Sequence, residues 1–142
     1  YNFNNKEYLP IYISSNPSSL IIPISGKGLW STLYGYIALE KDFNTVKGIT
    51  FYQHGETPGL GGEVDKLWFQ KNFIGKKIYD INDKFVSVEV VKGKVSDIYS
   101  GNKVNHAVDG ISGATITSRG VSNFIKSDLE RYLNYFKENK VN

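Results

Sequence analysis

The chain has 142 residues, of which 40% are hydrophobic and 22% charged, a composition typical of one globular domain and not of a disordered segment. It contains no cysteine, which excludes disulfides, thiol catalysis and cysteine-ligated zinc or iron–sulfur centres. The net charge of +3 is mild and the lysines form no long basic run, so nucleic-acid binding is not indicated. No run approaches the ~20 apolar residues of a membrane span. Because the first residue is Tyr1 and not Met, we expect a longer gene product.

The first third of the chain predicts four strands. Apolar and aromatic residues dominate four short runs, at residues 9–14, 20–24, 29–39 and 45–52. Pro23 has no backbone donor, so its strand is either weak or an edge at that point. The turn at residues 41–44 is short, which favours an antiparallel hairpin between the last two strands.

A glycine-rich loop then separates these strands from three less regular segments. Residues 54–64 hold four glycines and a proline, so several special backbone angles are expected there. Residues 65–73 predict a short helix, and residues 85–92 alternate as a strand does. Residues 93–109 predict a long irregular connection, which in a compact domain is often functional.

The last predicted element is a long helix, because apolar residues recur at helical spacing in one stripe. The stripe consists of Val121, Phe124, Ile125, Leu129, Tyr132, Leu133 and Phe136. Strands first and a helix last predict an α+β fold. We expect a largely antiparallel twisted sheet with a long C-terminal helix and a short helix, in a single domain over residues 1–142.

The stretch DGISGATITSRG, residues 109–120, lies directly before this helix. A helix start presents free N–H groups and the positive end of its dipole to an anion. Small residues allow close approach there and hydroxyls add donors, as in Ser112, Gly113, Ala114, Thr115 and Thr117. The same residue types also make ordinary N-caps. Composition alone therefore leaves a phosphate site and a plain capped helix as alternatives.

Four segments, in order along the chain, resemble one family. They are GKGLWSTLYGYIALE (26–40), NTVKGITFYQHGETPGLGGEV (44–64), GKKIYD (75–80) and DGISGATITSRGV (109–121). Together they resemble the C-subunit family of the sodium-translocating NADH:quinone oxidoreductase. This family belongs to the FMN-binding domains of bacterial respiratory complexes.

The resemblance implies FMN bound covalently to Thr115 by a phosphoester, with Thr117 as the nearest alternative. A separate flavin transferase would move FMN from FAD to the hydroxyl with magnesium, and Asp109 would belong to the sequence it reads. Gly110 is a further predicted cofactor-binding residue. Asp109 is also expected to shape the turn, as an Asx-type residue does.

The resemblance also implies a loop that contacts the flavin, with Glu56, Thr57, Leu60 and Gly61 as candidates and Leu60 against the ring. The alternative is a glycine-rich turn at the end of a hairpin. Further predicted contacts are Trp30 with Ser31, and Lys92, whose charge would stabilise an anionic flavin. Their alternatives are a core tryptophan and a solvated strand-end lysine. Trp68 is expected to serve packing only.

No metal is expected, because His54 and His106 are far apart and no acidic cluster accompanies them. The implied function is electron transfer in a translocase that couples NADH oxidation and quinone reduction to sodium export. Implied partners are the other subunits of that complex and the flavin transferase. The resemblance places the domain on the periplasmic side of the bacterial inner membrane, anchored by an N-terminal helix that this chain lacks. The alternatives are the related G subunit of the Rnf complex, a non-redox phosphate-binding module, and a protein-interaction domain.

Overall fold

The computed structural model describes residues 2–15 and 18–140. Its centre is a four-stranded antiparallel sheet. In sheet order the strands are β3 (Tyr12–Ser15), β4 (Ser18–Lys27), β5 (Thr32–Glu40) and β6 (Val46–Gln53). At the N-terminus, β1 (Asn2–Phe3) pairs antiparallel with β2 (Lys6–Glu7). The predicted α+β class and antiparallel sheet are confirmed.

Pro23 lies where β4 has a neighbour on one side only. The pairing of β3 with β4 ends at Tyr12 opposite Ile21, while Pro23 pairs with Tyr36 of β5. No strand lies on that side to accept a hydrogen bond, so the N–H that proline lacks is not needed there. This agrees with the prediction that Pro23 marks an edge.

One face of the sheet is buried by the helix α3 (Thr115–Glu130), which packs mainly along β4. Alternate residues of the strands turn inward, as a period of two demands, and meet the apolar stripe of the helix. The fully buried residues of this layer include Ile22, Ile24, Leu33 and Ile37 from the sheet and Val121, Ile125 and Leu129 from α3. The opposite face carries Tyr12, Tyr34, Tyr36 and Tyr52, whose rings lie 5.4–6.4 Å apart in successive contacts.

The predicted long helix is interrupted. It ends at Glu130, and a second helix, α4 (Leu133–Asn139), follows. At the break, Arg131 pairs with Glu7, and the Tyr132 hydroxyl donates to the Pro10 carbonyl at 2.8 Å. Contacts with the N-terminal segment thus coincide with the break, which no local glycine or proline marks.

The middle of the chain differs most from the sequence prediction. Residues 65–73 hold a short helix, α1 (Leu67–Gln70), between two 3-10 turns, Gly61–Asp65 and Lys71–Phe73. The prediction of a strand over residues 85–92 is wrong except at β7 (Glu89–Val90).

Residues 93–109 are more regular than predicted. They contain α2 (Val95–Ile98), a 3-10 turn (Gly101–His106) and β8 (Ala107–Val108), which pairs parallel with β7. The sequence pattern did not predict the parallel pair because each strand has only two residues. Among the described residues, no helix is long and apolar enough to cross a membrane.

Candidate functional site

The helix α3 begins without a side-chain cap. Ala114 occupies the N-cap position with φ −128° and ψ 39°, and no side chain bonds there as a cap. Gly113 precedes it with φ +74°, a left-handed turn that glycine adopts without strain. The first N–H groups of a helix have no carbonyl partner inside it and carry the positive end of the dipole. A side-chain cap would occupy some of these N–H groups. Because α3 has none, its first N–H groups remain available to an anion.

A cavity of about 860 Å³, here called the helix-mouth cavity, lies over this helix start. Its walls are residues 89–94, residues 109–113 with the first turns of α3, and the side chains of Trp68, Ile98 and Tyr99. The volume falls within the range of roughly 300–1,000 Å³ found for small-molecule and cofactor sites.

The structure brings six predicted site residues to this cavity: Lys92, Asp109, Gly110, Ser112, Gly113 and Thr115. Two hydrogen bonds hold the opposing walls together. The Gly110 N–H donates to the Gly93 carbonyl at 2.8 Å, and the Val95 N–H donates to Asp109 Oδ1 at 2.8 Å. Asp109 thus shapes the site through the start of α2, and not through the local Asx-type turn that the sequence predicts.

The two candidate threonines have opposite environments. Thr115 is exposed and lines the helix-mouth cavity. Thr117 is only 2% exposed, and its hydroxyl donates to Glu56 Oε1 at 2.6 Å. Thr117 therefore serves an internal hydrogen bond, while the Thr115 hydroxyl is open to a ligand.

Glu56 is buried, with 4% exposure, and its carboxylate is surrounded by protein donors. Oε1 accepts hydrogen bonds from the Leu29 N–H at 2.7 Å and from Thr117. Oε2 accepts from the Trp30 N–H at 3.1 Å and from the Ser31 hydroxyl at 2.5 Å. The carboxylate thereby joins the turn before β5, the glycine-rich loop and the first turn of α3.

The pKa of Glu56 reflects these contacts. Burial acts to raise the pKa, but hydrogen bonds from Ser31, Thr117, Leu29 and Trp30 outweigh it and hold the pKa below its ordinary value. Glu56 is therefore a carboxylate at neutral pH, with its acceptor sites already engaged.

The remaining residues of the predicted loop adjoin the helix start from outside the cavity. Gly61 packs so closely that a Cβ there would stand 2.5 Å from the Thr117 hydroxyl oxygen. Leu60 is exposed, and its side chain contacts Gly113, where an added Cβ would lie 2.9 Å from Leu60 Cδ2. The Thr57 carbonyl closes the loop by accepting from the Leu60 N–H at 3.1 Å and the Gly62 N–H at 2.9 Å.

Trp30 and Ser31 lie next to Glu56 and do not line the helix-mouth cavity. Trp30 is 71% exposed, so the alternative of a core tryptophan is wrong. The Ser31 hydroxyl also accepts from the Gly55 N–H at 2.9 Å, which links the turn before β5 to the glycine-rich loop.

Sequence reasoning missed one wall of the cavity. Trp68, predicted to serve packing only, is 47% exposed, lines the cavity and donates its indole N–H to Glu63 Oε2 at 2.6 Å. Ile98 and Tyr99 were missed because residues 93–109 were predicted to be irregular, which hid α2 and its last turn. No local signal in the sequence would have placed Trp68 beside the start of α3.

Two further groups complete the surroundings. Ser118 lines the cavity, is 4% exposed, and its hydroxyl has no hydrogen-bond partner among the described residues. A buried donor without a partner calls for an explanation, and a polar ligand in the cavity supplies one. His54 accepts from the Glu56 N–H through Nδ1, so its Nε2 carries the proton and donates to Asp65 at 2.8 Å. His54 thus supports the loop that carries Glu56.

Comparison with known proteins relates these features to one family. The family model described as "FMN-binding domain" matches residues 28–130. The chain belongs to the FMN-binding domain family. An open cavity, an uncapped helix start and an unpartnered buried hydroxyl are features that suit a phosphate-bearing ligand such as FMN.

Within the family, the chain is similar to the C subunit of the Na(+)-translocating NADH-quinone reductase of Pseudomonas aeruginosa, with 46% identity over 84% of this chain and 46% of that protein. It is also similar to the protein of the same name from Chlamydia muridarum, with 43% identity over 91% of this chain and 44% of the relative. The chain thus spans less than half the length of these curated relatives. The predicted resemblance to the C-subunit family is confirmed.

Two solved structures share the fold. The C subunit of the Na(+)-translocating NADH-quinone reductase of Parabacteroides distasonis superimposes with a TM-score of 0.77 at 39% identity, covering 89% of this chain and 60% of that one. The NqrC structure of Shewanella oneidensis gives a TM-score of 0.75 at 42% identity, covering 87% of this chain and 55% of that one. This FMN-binding domain therefore has the architecture of those two proteins.

Proposed function

We propose that this domain carries FMN covalently on Thr115 and transfers electrons as part of a sodium-translocating NADH:quinone oxidoreductase. The observation that carries the proposal is the exposed Thr115 hydroxyl at an uncapped helix start, inside a cavity of cofactor size. Membership of the FMN-binding domain family supports the choice of FMN.

Attachment requires a hydroxyl that can reach the phosphate. In the proposed step the Thr115 oxygen forms a bond to the FMN phosphorus of FAD, the pyrophosphate bond breaks, AMP leaves, and the hydroxyl proton is lost. The flavin transferase supplies the catalysis, so this chain needs no nucleophile-activating base. Thr117 is a poor acceptor because its hydroxyl is buried and bonded to Glu56.

The chain's own residues would hold the phosphate and surround the ring. The N–H groups at the start of α3 and the Ser112 hydroxyl would hold the phosphate, since anions are stabilised at helix N-termini. Lys92 adds a positive charge at the cavity wall, which favours a negatively charged reduced ring. Trp68 and Tyr99 provide aromatic surface for a flat ligand.

The bound flavin supplies the electron chemistry, and the protein supplies position, electrostatics and protection from water. The isolated domain is thus proposed to be an electron carrier without turnover of its own. Its proposed partners are the other subunits of the complex and the flavin transferase. We also propose that the domain lies on the periplasmic side of the inner membrane, held by an N-terminal anchor in the longer protein.

Mass spectrometry of the domain co-produced with an active flavin transferase tests the proposal. We expect a mass gain of one FMN less one water. Cleavage after Lys103 and Arg119 gives one tryptic peptide, residues 104–119, that contains both threonines, so fragmentation within it must assign the modified residue.

Two variants provide the contrast. Thr115→Ala should lose the adduct and keep the fold, whereas Thr117→Val should keep the adduct with reduced stability, because it loses the bond to Glu56. An adduct that persists in Thr115→Ala and maps to residue 117 would overturn the assignment. Absence of any adduct, with the transferase active on another substrate, would overturn the flavoprotein function.

A further inference from the structure

A second cavity of about 430 Å³, here called the lysine cavity, lies beside the helix-mouth cavity along α3. Lys103, His106 and Lys126 line it, together with Ser87. Glu89, Tyr99, Ser122 and Asn123 line both cavities, so the two cavities adjoin there. The Tyr99 hydroxyl donates a hydrogen bond to Glu89 Oε1 along this shared wall.

The charge of the lysine cavity is not neutralised. Neither Lys103 nor Lys126 lies within 4 Å of a carboxylate oxygen in residues 2–15 and 18–140. Glu89 is the one acidic residue on the wall, and it is engaged by Tyr99. The Lys103 ammonium lies 5.7 Å from the centroid of the Tyr99 ring, which keeps it at the wall. The hydrogen bond from Tyr99 leaves the charge of Glu89 in place, so two lysines and one carboxylate give the wall a net charge of +1, which favours an anionic occupant.

The imidazole of His106 on the cavity wall has one ring nitrogen left for a ligand. Its Nδ1 lies 2.7 Å from the Lys77 carbonyl oxygen, and because a carbonyl can only accept, Nδ1 must carry a proton. Nε2 is then the nitrogen left for a ligand, and it donates a hydrogen bond only when the imidazole is protonated.

Ser87 combines an unusual backbone angle with a buried hydroxyl that has no hydrogen-bond partner among the described residues. Its φ is +62°, in the left-handed region that side chains rarely adopt. Its hydroxyl is buried, with the residue 3% exposed, and has no partner among the described residues. Strained backbone and unsatisfied buried donors persist mainly where a ligand or a function compensates for them.

We propose that the lysine cavity is a binding site for a free phosphate-class oxyanion. Lys103 and Lys126 supply the charge, His106 Nε2 supplies a hydrogen bond, and Ser87 on the wall supplies a fourth donor. The site adjoins the helix-mouth cavity, but its four proposed contact residues do not line that cavity.

Nuclear magnetic resonance of the ¹⁵N-labelled chain, titrated with inorganic phosphate at constant ionic strength, tests this site. We expect saturable shifts at residues 86–88, 103–106 and 124–126, which do not line the helix-mouth cavity. Lys103→Gln and Lys126→Gln should each raise the dissociation constant about tenfold, the usual effect of losing one charge-assisted hydrogen bond. The matched control Lys71→Gln changes an exposed lysine elsewhere and should leave the constant unchanged.

Phosphate can also bind at the start of α3, so the position of the shifts matters. Shifts confined to residues 112–117, shifts that never saturate, or equal constants for Lys126→Gln and Lys71→Gln would each overturn the proposal. The titration can be repeated on FMN-loaded protein, where the helix start is occupied and the lysine cavity should still respond.

Ser87→Gly separates binding from folding. Glycine relieves the backbone strain, so the variant should melt at a higher temperature, yet its affinity for phosphate should fall several-fold. A higher melting temperature with unchanged affinity would overturn the assignment of Ser87 to the site.

His106→Ala tests the imidazole on the cavity wall. The variant lacks Nε2, so its dissociation constant for phosphate should rise several-fold. An unchanged constant would overturn the role of His106.

Discussion

At Glu56, a single buried carboxylate organises three parts of the chain. Its four hydrogen-bond donors come from the turn before β5 and from the first turn of α3, while Glu56 itself lies in the glycine-rich loop. With both oxygens engaged, Glu56 acts as a positioning residue for the start of α3. The exposed Thr115 lies two residues before Thr117, whose hydroxyl donates to Glu56.

Replacement of Glu56 by glutamine tests this role. The amide presents an NH₂ group where the carboxylate accepts two hydrogen bonds, so we expect the free energy of unfolding to fall by about 2 kcal/mol. Thermal or urea unfolding at pH 7 measures the loss. The control Glu130→Gln changes an exposed carboxylate on α3 and should have little effect. Equal stability of the two variants would contradict the role.

The lowered pKa of Glu56 gives a pH dependence with a definite sign. A carboxyl whose pKa is lower in the folded state contributes stability above its unfolded pKa, about 4.3. That contribution disappears as pH falls through the lower folded pKa. The wild type should therefore lose more stability than Glu56→Gln between pH 6 and pH 3, as followed by the unfolding midpoint. Parallel losses in the two proteins would show that other carboxyls cause the acid sensitivity.

At the scale of elements, the close approach of α3 to β4 depends on glycine. A Cβ on Gly120 would lie 2.1 Å from the Lys27 carbonyl oxygen, and a Cβ on Gly26 would lie 2.3 Å from Phe124 Cβ. These two contacts bring the helix start close to the end of β4 and the turn after it. The position of Thr115 relative to the sheet therefore depends on the spacing of α3 from β4.

Gly120→Ala tests that spacing. Alanine favours helix by about 1 kcal/mol over glycine, but the contact is with backbone that cannot move aside easily. We expect a net loss of about 2 kcal/mol in the free energy of unfolding, as in overpacked cores. Ser127→Ala, at an exposed position of the same helix, should instead be slightly stabilising. A stabilised Gly120→Ala would show that α3 can move away from β4 at little cost.

At the scale of the whole molecule, the helix-mouth cavity is assembled from segments that are distant in the chain. Residues 89–94 and 109–113 form two walls, and Trp68 forms another. Leu60 and Trp30 lie outside the cavity, on the side of Glu56. The helix-mouth cavity lies on the side of Trp68 and Lys92, which favours that side of the helix start for the proposed flavin ring.

Hydrogen exchange of free and FMN-loaded protein distinguishes the two sides. If the ring occupies the helix-mouth cavity, amides in residues 89–94 and 109–113 should exchange about tenfold more slowly in the loaded protein, equivalent to ~1.4 kcal/mol of local stabilisation. Amides in the centre of β4 and β5 should not change. Slower exchange confined to residues 55–61 and 29–31 would place the ring against Leu60 and Trp30 instead.

The sequence by itself determined the sheet, the main helix, the family and the candidate Thr115. These depend on local patterns: alternation in the strands, the apolar stripe of α3, and short motifs whose residues are adjacent. Even so, helical periodicity did not reveal the break at Arg131, because the contacts there come from Glu7 and Pro10.

Only the tertiary structure showed which candidate residues line the cavity and which make internal hydrogen bonds. Thr115 and Thr117 are equivalent by composition, and they differ because Glu56, 61 residues away, accepts the hydroxyl of one and leaves the other open. The positions of Trp68, Tyr99 and Ser87 in the cavity walls depend on short local structures. Trp68 lies on the four-residue helix α1, Tyr99 follows the four-residue helix α2, and Ser87 has a left-handed backbone angle. Such features are stabilised by contacts between distant segments, and a pattern within a few neighbouring residues does not contain them.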